Sequence, residues 1–320
     1  MNILVTGAAG FLGSHLIDAL LKEGHFVLGI DNMLTGHESN LSLSRGMYER
    51  FMGLMPEDVI YTDYPDSKNR IKYDVVYNFA CPASPVAYQR DPIHTLMTNV
   101  RGTMNMLELA RIDNATFIQA STSEVYGDPM MHPQVESYHG NVNPFGPRAC
   151  YDEGKRAAET LCFDYHKSFH VRVKVVRIFN TYGPRMDPDD GRVVSNFINQ
   201  ALDGKPLTIY GSGFQTRSFC YVDDLIRGFV KVKDTNDDFT GPMNLGNPVE
   251  FTVGDLAKQV CEKIGGHIQY EPLPIDDPTR RRPDITLAKR VLDWEPQVTL
   301  DEGLNRTIEY FKLKRQSVKS

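Results

Sequence analysis

The turn between the first apolar run and the first helical pattern constrains the fold of this chain more than any other feature. Ile3–Val5 is a short apolar run typical of a buried strand, and apolar residues recur at helical spacing from Leu12 to Leu20. The segment between these patterns carries Gly7, Gly10 and Gly13 in GxxGxxG spacing. Glycines at a strand-to-helix turn let the backbone approach a pyrophosphate, which the helix amino terminus attracts. We therefore expect a dinucleotide site at the start of the chain.

A carboxylate at the end of the next strand supports a dinucleotide site and indicates which dinucleotide binds. The apolar run Phe26–Ile30 ends in Asp31, about 20 residues after the glycines, which is the spacing typical of a dinucleotide-binding β-α-β unit. Asp31 is expected to accept hydrogen bonds from the adenosine ribose hydroxyls. No arginine or lysine follows it directly to neutralise a 2′-phosphate. The sequence therefore predicts NAD rather than NADP.

Strand-like and helical patterns alternate through the first half of the chain. This alternation predicts an α/β fold with a doubly wound parallel sheet of the Rossmann type. The sequence becomes rich in turns after Asn180. We therefore expect an NAD-binding domain at 1–179 and a smaller, mixed, mainly substrate-binding lobe at 180–320, with residues of about 222–250 returning to the first domain. The further strand-like apolar runs are Val75–Phe79, Thr116–Ala120 and Val173–Phe179.

Composition excludes several other classes of function. The formal net charge of −6 gives no general attraction to nucleic acid or to anionic membranes. The five cysteines are odd in number and form no CxxC pair, so neither a disulfide framework nor a metal site is indicated. No apolar run approaches the ~20 residues that span a bilayer. We expect a cytoplasmic enzyme with no metal and no membrane or nucleic-acid partner.

Tyr151 and Lys155 are the first candidates for chemistry. They stand four residues apart at the start of a helical pattern, so both side chains should lie on one helix face. A phenol with a pKa of ~10 is a poor base, but a nearby ammonium and a nicotinamide cation both favour its phenolate. Thr122 follows a strand, where open α/β sheets place reactive groups, and is expected beside Tyr151. Tyr151 could then remove a proton from a substrate hydroxyl.

These motifs, together with Arg177–Arg185 and Tyr210–Asp224, resemble the extended short-chain dehydrogenase/reductase family from residue 1 to about residue 311. Several stretches resemble, within that family, the UDP-glucuronate decarboxylases, also called UDP-xylose synthases. Those stretches are Cys81–Pro85, Ser121–Pro129, Gly146–Lys155, Asp190–Phe197 and Arg280–Ile285.

The resemblance implies a homodimer in which NAD stays bound and a UDP-sugar lies between the lobes. The residues that it implies for the cofactor are Gly7, Gly10, Phe11, Leu12, Gly13, Asp31, Asn32, Thr35, Gly36, Ala80, Tyr151 and Lys155. Those that it implies for catalysis are Tyr151, Lys155, Thr122, Ser123, Glu124 and Arg281. The UDP diphosphate or the substrate carboxylate would be contacted by Asn180, Arg192, Arg217 and Arg281.

The implied reaction oxidises C4 of UDP-glucuronate, releases carbon dioxide from the 4-keto acid, and ends at UDP-xylose with NAD regenerated. Sugar-nucleotide 4,6-dehydratases resemble this chain, but they carry an aspartate acid where it has Ser123. His94 and Met97 stand where the decarboxylases usually show lysines, which leaves the exact sugar nucleotide open. The alternatives are a UDP-4-keto-pentose synthase, a C4 epimerase, a dehydratase and a catalytically silent NAD-binding regulator.

The expected dimer has a predicted interface. The helical patterns at Leu96–Leu109 and Ala157–Tyr165 carry broad apolar faces that one lobe need not cover completely. Two copies of each helix would form a four-helix interface around a two-fold axis.

Overall fold

Alternating strands and helices make up most of the computed structural model, which describes residues 1–47, 49–62, 70–272 and 280–319. The strands are β1 (Asn2–Thr6), β2 (Phe26–Ile30), β3 (Phe51–Met55), β4 (Val75–Asn78), β5 (Thr116–Thr122), β6 (Arg172–Ile178), β7 (Thr181–Tyr182), β8 (Leu207–Tyr210), β9 (Thr216–Ser218), β10 (Cys220–Tyr221), β11 (Met243–Leu245), β12 (Glu250–Thr252), β13 (Ile268–Glu271) and β14 (Arg280–Arg281). The helices are α1 (Phe11–Lys22), α2 (Ser42–Met47), α3 (Pro85–Arg90), α4 (Pro92–Met97), α5 (Thr103–Asp113), α6 (Ala149–Phe169), α7 (Val193–Leu202), α8 (Val222–Val232), α9 (Val253–Ile264), α10 (Thr286–Leu292) and α11 (Leu300–Lys319).

A seven-stranded sheet in the order β11-β6-β5-β4-β1-β2-β3 forms the centre of the molecule. All its strand pairs are parallel, so the predicted doubly wound α/β fold is confirmed. Strand β1 pairs with β2 on one side and with β4 on the other. The chain therefore reverses direction across the sheet at β1, and ligands of such sheets bind in the crevice at the carboxyl ends of the strands on either side of this point.

The helical segment that packs beside α6 changes its geometry in the middle. Helices α4 and α5 are joined by a π-helical turn at Thr98–Gly102. That turn places Asn99 so that its side-chain amide donates to the Thr95 carbonyl at 3.0 Å and to the Cys81 sulfur at 3.1 Å. A Cβ at Gly154 of α6 would lie within 3.0–3.3 Å of the Asn99 side chain. This close packing fixes the start of α6 against the π-helical turn.

Short sheets follow the long sheet along the chain. Strand β9 pairs with β12 in antiparallel and with β14 in parallel orientation, β8 pairs with β13, and β7 pairs with β10. Strand β11 returns to the central sheet beside β6, and α8 packs on α1. The boundary between an NAD-binding domain and a substrate-binding lobe at residue 180 stays a prediction.

Two further observations concern the cysteines and the apolar character of the helices. All five cysteines are free thiols. Among the described residues, no helix is long and apolar enough to cross a membrane.

Candidate active site

The glycine-rich turn after β1 has room only for glycine at two positions. Gly7 has a φ of +66°, and a Cβ there would lie 2.8 Å from the Phe79 carbonyl carbon and oxygen. A Cβ at Gly13 would clash with the Gly7 carbonyl oxygen. Gly10 precedes α1 and provides no side-chain cap, so the first amide groups of the helix, at Phe11 and Leu12, lack such a cap. A backbone open in this way suits a phosphate group.

Asp31 lies against this turn at the carboxyl end of β2. Its Oδ2 accepts a hydrogen bond from the Ala9 amide at 2.9 Å, and its Oδ1 accepts one from the Met33 amide at 2.8 Å. Burial raises the pKa of Asp31, and the backbone donors oppose that shift. A Cβ at Gly36 would lie 2.9 Å from both carboxylate oxygens. The residues predicted for adenosine and pyrophosphate therefore form one surface, and they fit a dinucleotide.

The remaining predicted cofactor residues border the same region. Asn32 donates through Nδ2 to Asp58 Oδ2 at 2.8 Å, and His94 Nε2 lies 2.7 Å from the same oxygen. Thr35 is exposed, and the Ala80 amide donates to Thr6 Oγ1 at 3.1 Å. Asp58 was missed by the sequence analysis, because no motif surrounds it. His94, which stands where the decarboxylases usually have a lysine, shares the Asp58 oxygen with Asn32, a residue predicted to contact adenosine.

Tyr151 and Lys155 lie in the first two turns of α6, and both are buried. The Lys155 ammonium donates to the Ala120 carbonyl at 2.9 Å and lies 5.8 Å from the centre of the Tyr151 ring. Thr122 lies close enough to the Tyr151 hydroxyl to oppose the rise of its pKa, as expected for neighbours. Burial raises the pKa of Tyr151 well above its ordinary value and lowers that of Lys155. Lys155 alone therefore does not make Tyr151 a phenolate in the ligand-free protein.

Two residues next to Tyr151 were not predicted as site residues. The Tyr88 ring stacks on the Tyr151 ring at 5.0 Å and 7°. The Tyr88 hydroxyl is buried and has no hydrogen-bond partner among the described residues. Burial of the Lys155 ammonium lowers its pKa, and Cys81, which is half-buried, lies close enough to oppose this shift. Cys81 begins the Cys81–Pro85 stretch that resembles the decarboxylases, whereas no motif or spacing in the sequence indicated that Tyr88 lies in the site.

A buried charge network follows β5. Glu124 lies between two guanidinium groups: Arg281 donates to Oε1, and Arg148 donates to Oε2 at 2.6 Å. Arg281 is only 2% exposed and also reaches Ser123 Oγ at 3.2 Å and the Gly127 carbonyl at 2.8 Å. Burial alone would raise the pKa of Glu124, but the two arginines lower it to about 2. Glu124 is therefore a carboxylate at neutral pH, and Arg148 is a member of the network that the sequence analysis missed.

The other predicted substrate residues divide into two places. Arg217 in β9 lies beside Arg281 of β14 in the strand register, and its charge contributes to lowering the pKa of Glu124. Arg192 does not join them. It pairs with Asp190 at 2.6 Å and lies 5.9 Å from the Phe11 ring, which places it on the cofactor side.

Asn180 lies between the central sheet and the short strands. Its carbonyl accepts a hydrogen bond from the Cys220 amide at 2.9 Å. Met97 is half-buried at the end of α4. The roles of all the predicted site residues stay predictions.

Comparison with known proteins identifies the family of this chain. Residues 3–246 match the NAD dependent epimerase/dehydratase family. UDP-glucuronic acid decarboxylase 1 of Danio rerio is 53% identical over 97% of this chain and 72% of its own length. UDP-glucuronic acid decarboxylase 3 of Arabidopsis thaliana is 51% identical over 98% of this chain and 90% of its own length. The resemblance to UDP-glucuronate decarboxylases that the motifs indicated is confirmed.

Solved structures agree on the fold. The UDP-glucuronic acid 4-epimerase of Bacillus cereus, in complex with UDP-glucuronic acid and NAD, superposes with a TM-score of 0.86 at 34% identity, over 98% of this chain and all of that one. The UDP-glucose 4-epimerase of Thermotoga maritima, with UDP-glucose, superposes with a TM-score of 0.87 at 30% identity over the same shares. The chain belongs to the NAD-dependent epimerase/dehydratase family.

Proposed function

We propose that this chain is an NAD-dependent carboxy-lyase that converts UDP-glucuronate to UDP-xylose through a 4-keto intermediate. The observation that carries the proposal is the network of Glu124 with Arg281 and Arg148, which follows the same strand as the Thr122 neighbour of Tyr151. A guanidinium fork suits a substrate carboxylate. The relatives that are about half identical over nearly the whole chain are named as decarboxylases of this substrate.

Bound NAD supplies the hydride acceptor for C4 of the sugar and returns the hydride at the end. Tyr151 and Thr122 would hold the C4 oxygen, and Tyr151 would take the hydroxyl proton during oxidation. The positive charge of an oxidised nicotinamide favours the phenolate that burial opposes. Lys155, held by the Ala120 carbonyl, would position the cofactor ribose beside Tyr151.

Oxidation at C4 places a ketone β to the carboxylate. Loss of carbon dioxide then leaves negative charge that delocalises onto the C4 oxygen, where the hydroxyls of Tyr151 and Thr122 can donate hydrogen bonds. We propose that Arg281 and Arg217 bind the substrate carboxylate or the diphosphate. Ser123 offers no carboxylic acid to protonate a departing hydroxyl, which favours decarboxylation over dehydration.

A C4 epimerase is the second candidate, because the Bacillus cereus neighbour with UDP-glucuronic acid is a 4-epimerase. The experiment that separates the two is incubation of the purified protein with UDP-glucuronate, followed by NMR of the sugar products and measurement of carbon dioxide. We expect UDP-xylose and one carbon dioxide per sugar consumed, without net reduction of NAD. UDP-galacturonate without carbon dioxide would establish the epimerase instead, and accumulation of the 4-keto pentose would establish a synthase that stops early.

We further propose that residues 180–320 mainly hold the sugar nucleotide and that the enzyme works as a homodimer. The free cysteines support a reducing, cytoplasmic compartment. The exposed apolar side chains on α5 and α6 support the dimer, as argued below.

A further inference from the structure

The proposed reaction consumes one proton in each turnover. The proton that leaves the C4 hydroxyl returns to C4 oxygen when the ketone is reduced. The proton that C5 receives in place of the carboxylate has no such source within the substrate. It must come from solvent, and some group has to bring it to a site that is largely buried. Arg281 is a poor donor, because a guanidinium has a pKa above ~12.

Asp152 is a carboxyl group that the proposed mechanism leaves without a role. It follows Tyr151 in α6, and its side chain is only 8% exposed. Its Oδ1 is buried and has no hydrogen-bond partner among the described residues. The nearest cationic group, Arg148 Nε, is 4.0 Å from Oδ2. A buried carboxyl oxygen without a partner is costly when ionised, so the geometry favours the protonated acid.

A pocket of about 250 Å³ connects this carboxyl group with Glu124. Its wall includes Asp152, Glu124 and Arg148, together with Asn141 and Gly127. A volume of this size holds several water molecules, since each occupies ~30 Å³ in the liquid. Glu124 spans the wall of the pocket: its Oε2 is on the side of Arg148, and its Oε1 is on the side of Arg281 and Ser123.

The two carboxyl groups differ strongly in acidity. Burial and the negative charge of Glu124 raise the pKa of Asp152 to about 8, whereas the arginines lower that of Glu124 to about 2. Neighbouring carboxyl groups with pKa values moved apart mark an acid and a base. The titratable and charged groups around Asp152 are Glu124, Arg148, Glu153, Arg281, Tyr88, Tyr151, Cys150 and Asp128.

Resting on the proposed function, we propose that Asp152 is the proton-relay residue for C5: it stores the proton that decarboxylation consumes and passes it to the sugar through Glu124. The step balances. The O–H bond of Asp152 breaks, and Glu124 accepts the proton on Oε2, on the pocket side. Rotation of the protonated Glu124 carboxyl group then turns this O–H bond to the side of Arg281, where it breaks as the electron pair of the enolate forms the C5–H bond. Solvent then returns a proton to Asp152 through the pocket. Asp152 is thus a positioning residue for the proton and acts through Glu124.

The test compares Asp152→Asn with the wild-type enzyme. The amide has the shape of the neutral acid, so the variant should fold with an unchanged melting temperature. We expect carbon dioxide to appear in the first turnover at a rate within about twofold of wild type, whereas formation of UDP-xylose should slow at least ~10-fold, as expected for loss of an acid–base group. Glu153→Gln, the adjacent carboxyl group on the outer side of α6, is the matched control and should change neither rate.

The pH dependence of UDP-xylose formation distinguishes a proton-relay role of Asp152 from a purely structural one, because a structural role would not change it. Asp152 is protonated below its pKa and ionised above it, so the wild-type rate of UDP-xylose formation should fall as the pH rises through about 8. The Asn variant should lose this limb, and Asp152→Glu should restore part of the rate together with the limb. In mixed H₂O and D₂O, the deuterium content at C5 should differ between wild type and the Asn variant, because the proton comes from the Asp152 carboxyl group in the wild type and directly from water in the variant.

Two outcomes overturn the relay. One is an Asn variant that keeps the wild-type pH limb and the wild-type deuterium content at C5, even if its turnover is lower. The other is a variant that slows carbon dioxide release as much as UDP-xylose formation. If the Asn variant does not fold, the relay can still be tested with the wild-type enzyme alone. A deuterium content at C5 that stays the same between pH 7 and pH 9 would contradict the relay. Absence of carbon dioxide from wild type would instead refute the proposed function.

Discussion

At the scale of single residues, burial is the strongest influence on the candidate catalytic groups. Tyr151 and Lys155 are both buried, and desolvation opposes charge on each of them. Glu124 is half-buried and remains ionised, because Arg281 and Arg148 donate to its two oxygens. The site therefore combines a phenol that is neutral at rest with a carboxylate that is ionised at rest.

The Tyr151 hydroxyl can be tested by its removal. We expect Tyr151→Phe to leave NAD binding nearly intact, because the ring and its stacking on Tyr88 are kept. Turnover should fall by at least ~10²-fold, since only the proton-transferring hydroxyl is lost. Cofactor fluorescence titration and carbon dioxide release measure the two effects. Unchanged turnover would assign proton transfer to another group.

The charge network predicts a separation of the chemical steps. Replacement of Glu124 by Gln should slow decarboxylation or C5 protonation more than oxidation at C4, whereas Tyr151→Phe should slow oxidation first. The reduced cofactor would then accumulate in the Gln variant, and single-turnover absorbance beside carbon dioxide release would show it. Equal slowing of both steps in the two variants would mean that Glu124 mainly holds the substrate.

We also expect the loss of Arg281 to lower the stability of the protein. Arg281→Ala leaves Glu124 with one guanidinium and removes the donor to the Gly127 carbonyl. We expect a loss of ~3–5 kcal/mol in the free energy of unfolding, as for one partner of a buried ion pair. Arg282→Ala is the control, because its contact with Glu250 at 3.6 Å is half-exposed and should contribute no more than ~1 kcal/mol. Denaturant titration of both variants measures this.

At the scale of elements, the sequence predicted the strands that have strong apolar patterns. β2 coincides with the predicted run, while β4 ends one residue earlier and β5 ends two residues later than expected. Strand β3, Phe51–Met55, was not predicted, because methionine and glycine replace the β-branched residues that are typical of strands. The π-helical turn before α5 was also missed, since its effect depends on packing against α6 that no local pattern encodes.

The candidate site divides in the same way. Residues in contiguous motifs, such as Asp31 and Tyr151, could be predicted because backbone geometry fixes their neighbours. Tyr88, Asp58 and Arg148 could not, because their roles arise from contacts between segments that are distant in the chain. Arg192 and Arg217 were both predicted to bind substrate, and the sequence does not distinguish them. Only the fold shows that Arg217 lies near Glu124 and that Arg192 lies near Phe11.

The glycine turn gives a prediction at this scale. Gly13→Ala places a methyl group against the Gly7 carbonyl oxygen, so the turn and the start of α1 must move apart. We expect NAD affinity to fall at least ~10-fold and stability to fall as well, because overpacking costs ~1–3 kcal/mol. Gly46→Ala in α2 is the matched control: no atom lies within 4 Å of the added Cβ, and the change should be neutral or slightly stabilising. Equal NAD affinity in both variants would contradict a role of the glycine turn in binding the NAD pyrophosphate.

At the scale of the whole molecule, the predicted dimer explains side chains that one copy leaves uncovered. Met104 on α5 is 42% exposed and Phe163 on α6 is 65% exposed, and these two helices pack against each other. A two-fold axis beside them would bring the same residues of a second copy into contact and form the four-helix interface. Large apolar side chains buried in this way each contribute roughly 1.5–3 kcal/mol.

This arrangement predicts the oligomeric state and its loss. Light scattering at micromolar concentration should give the mass of a dimer, and the double variant Met104→Lys with Phe163→Lys should give a monomer, because four unpaired ammonium groups would meet at the axis. Phe214→Lys is the control: Phe214 is 81% exposed but lies between β8 and β9, away from these helices, so the dimer should persist. A monomeric wild type would contradict the dimer. A dimer that survives the double variant but not Phe214→Lys would place the interface elsewhere. Since α6 also carries Tyr151 and Lys155, a monomer that retains its fold should show lower turnover as the helix loses support, and activity measured against protein concentration would reveal that dependence.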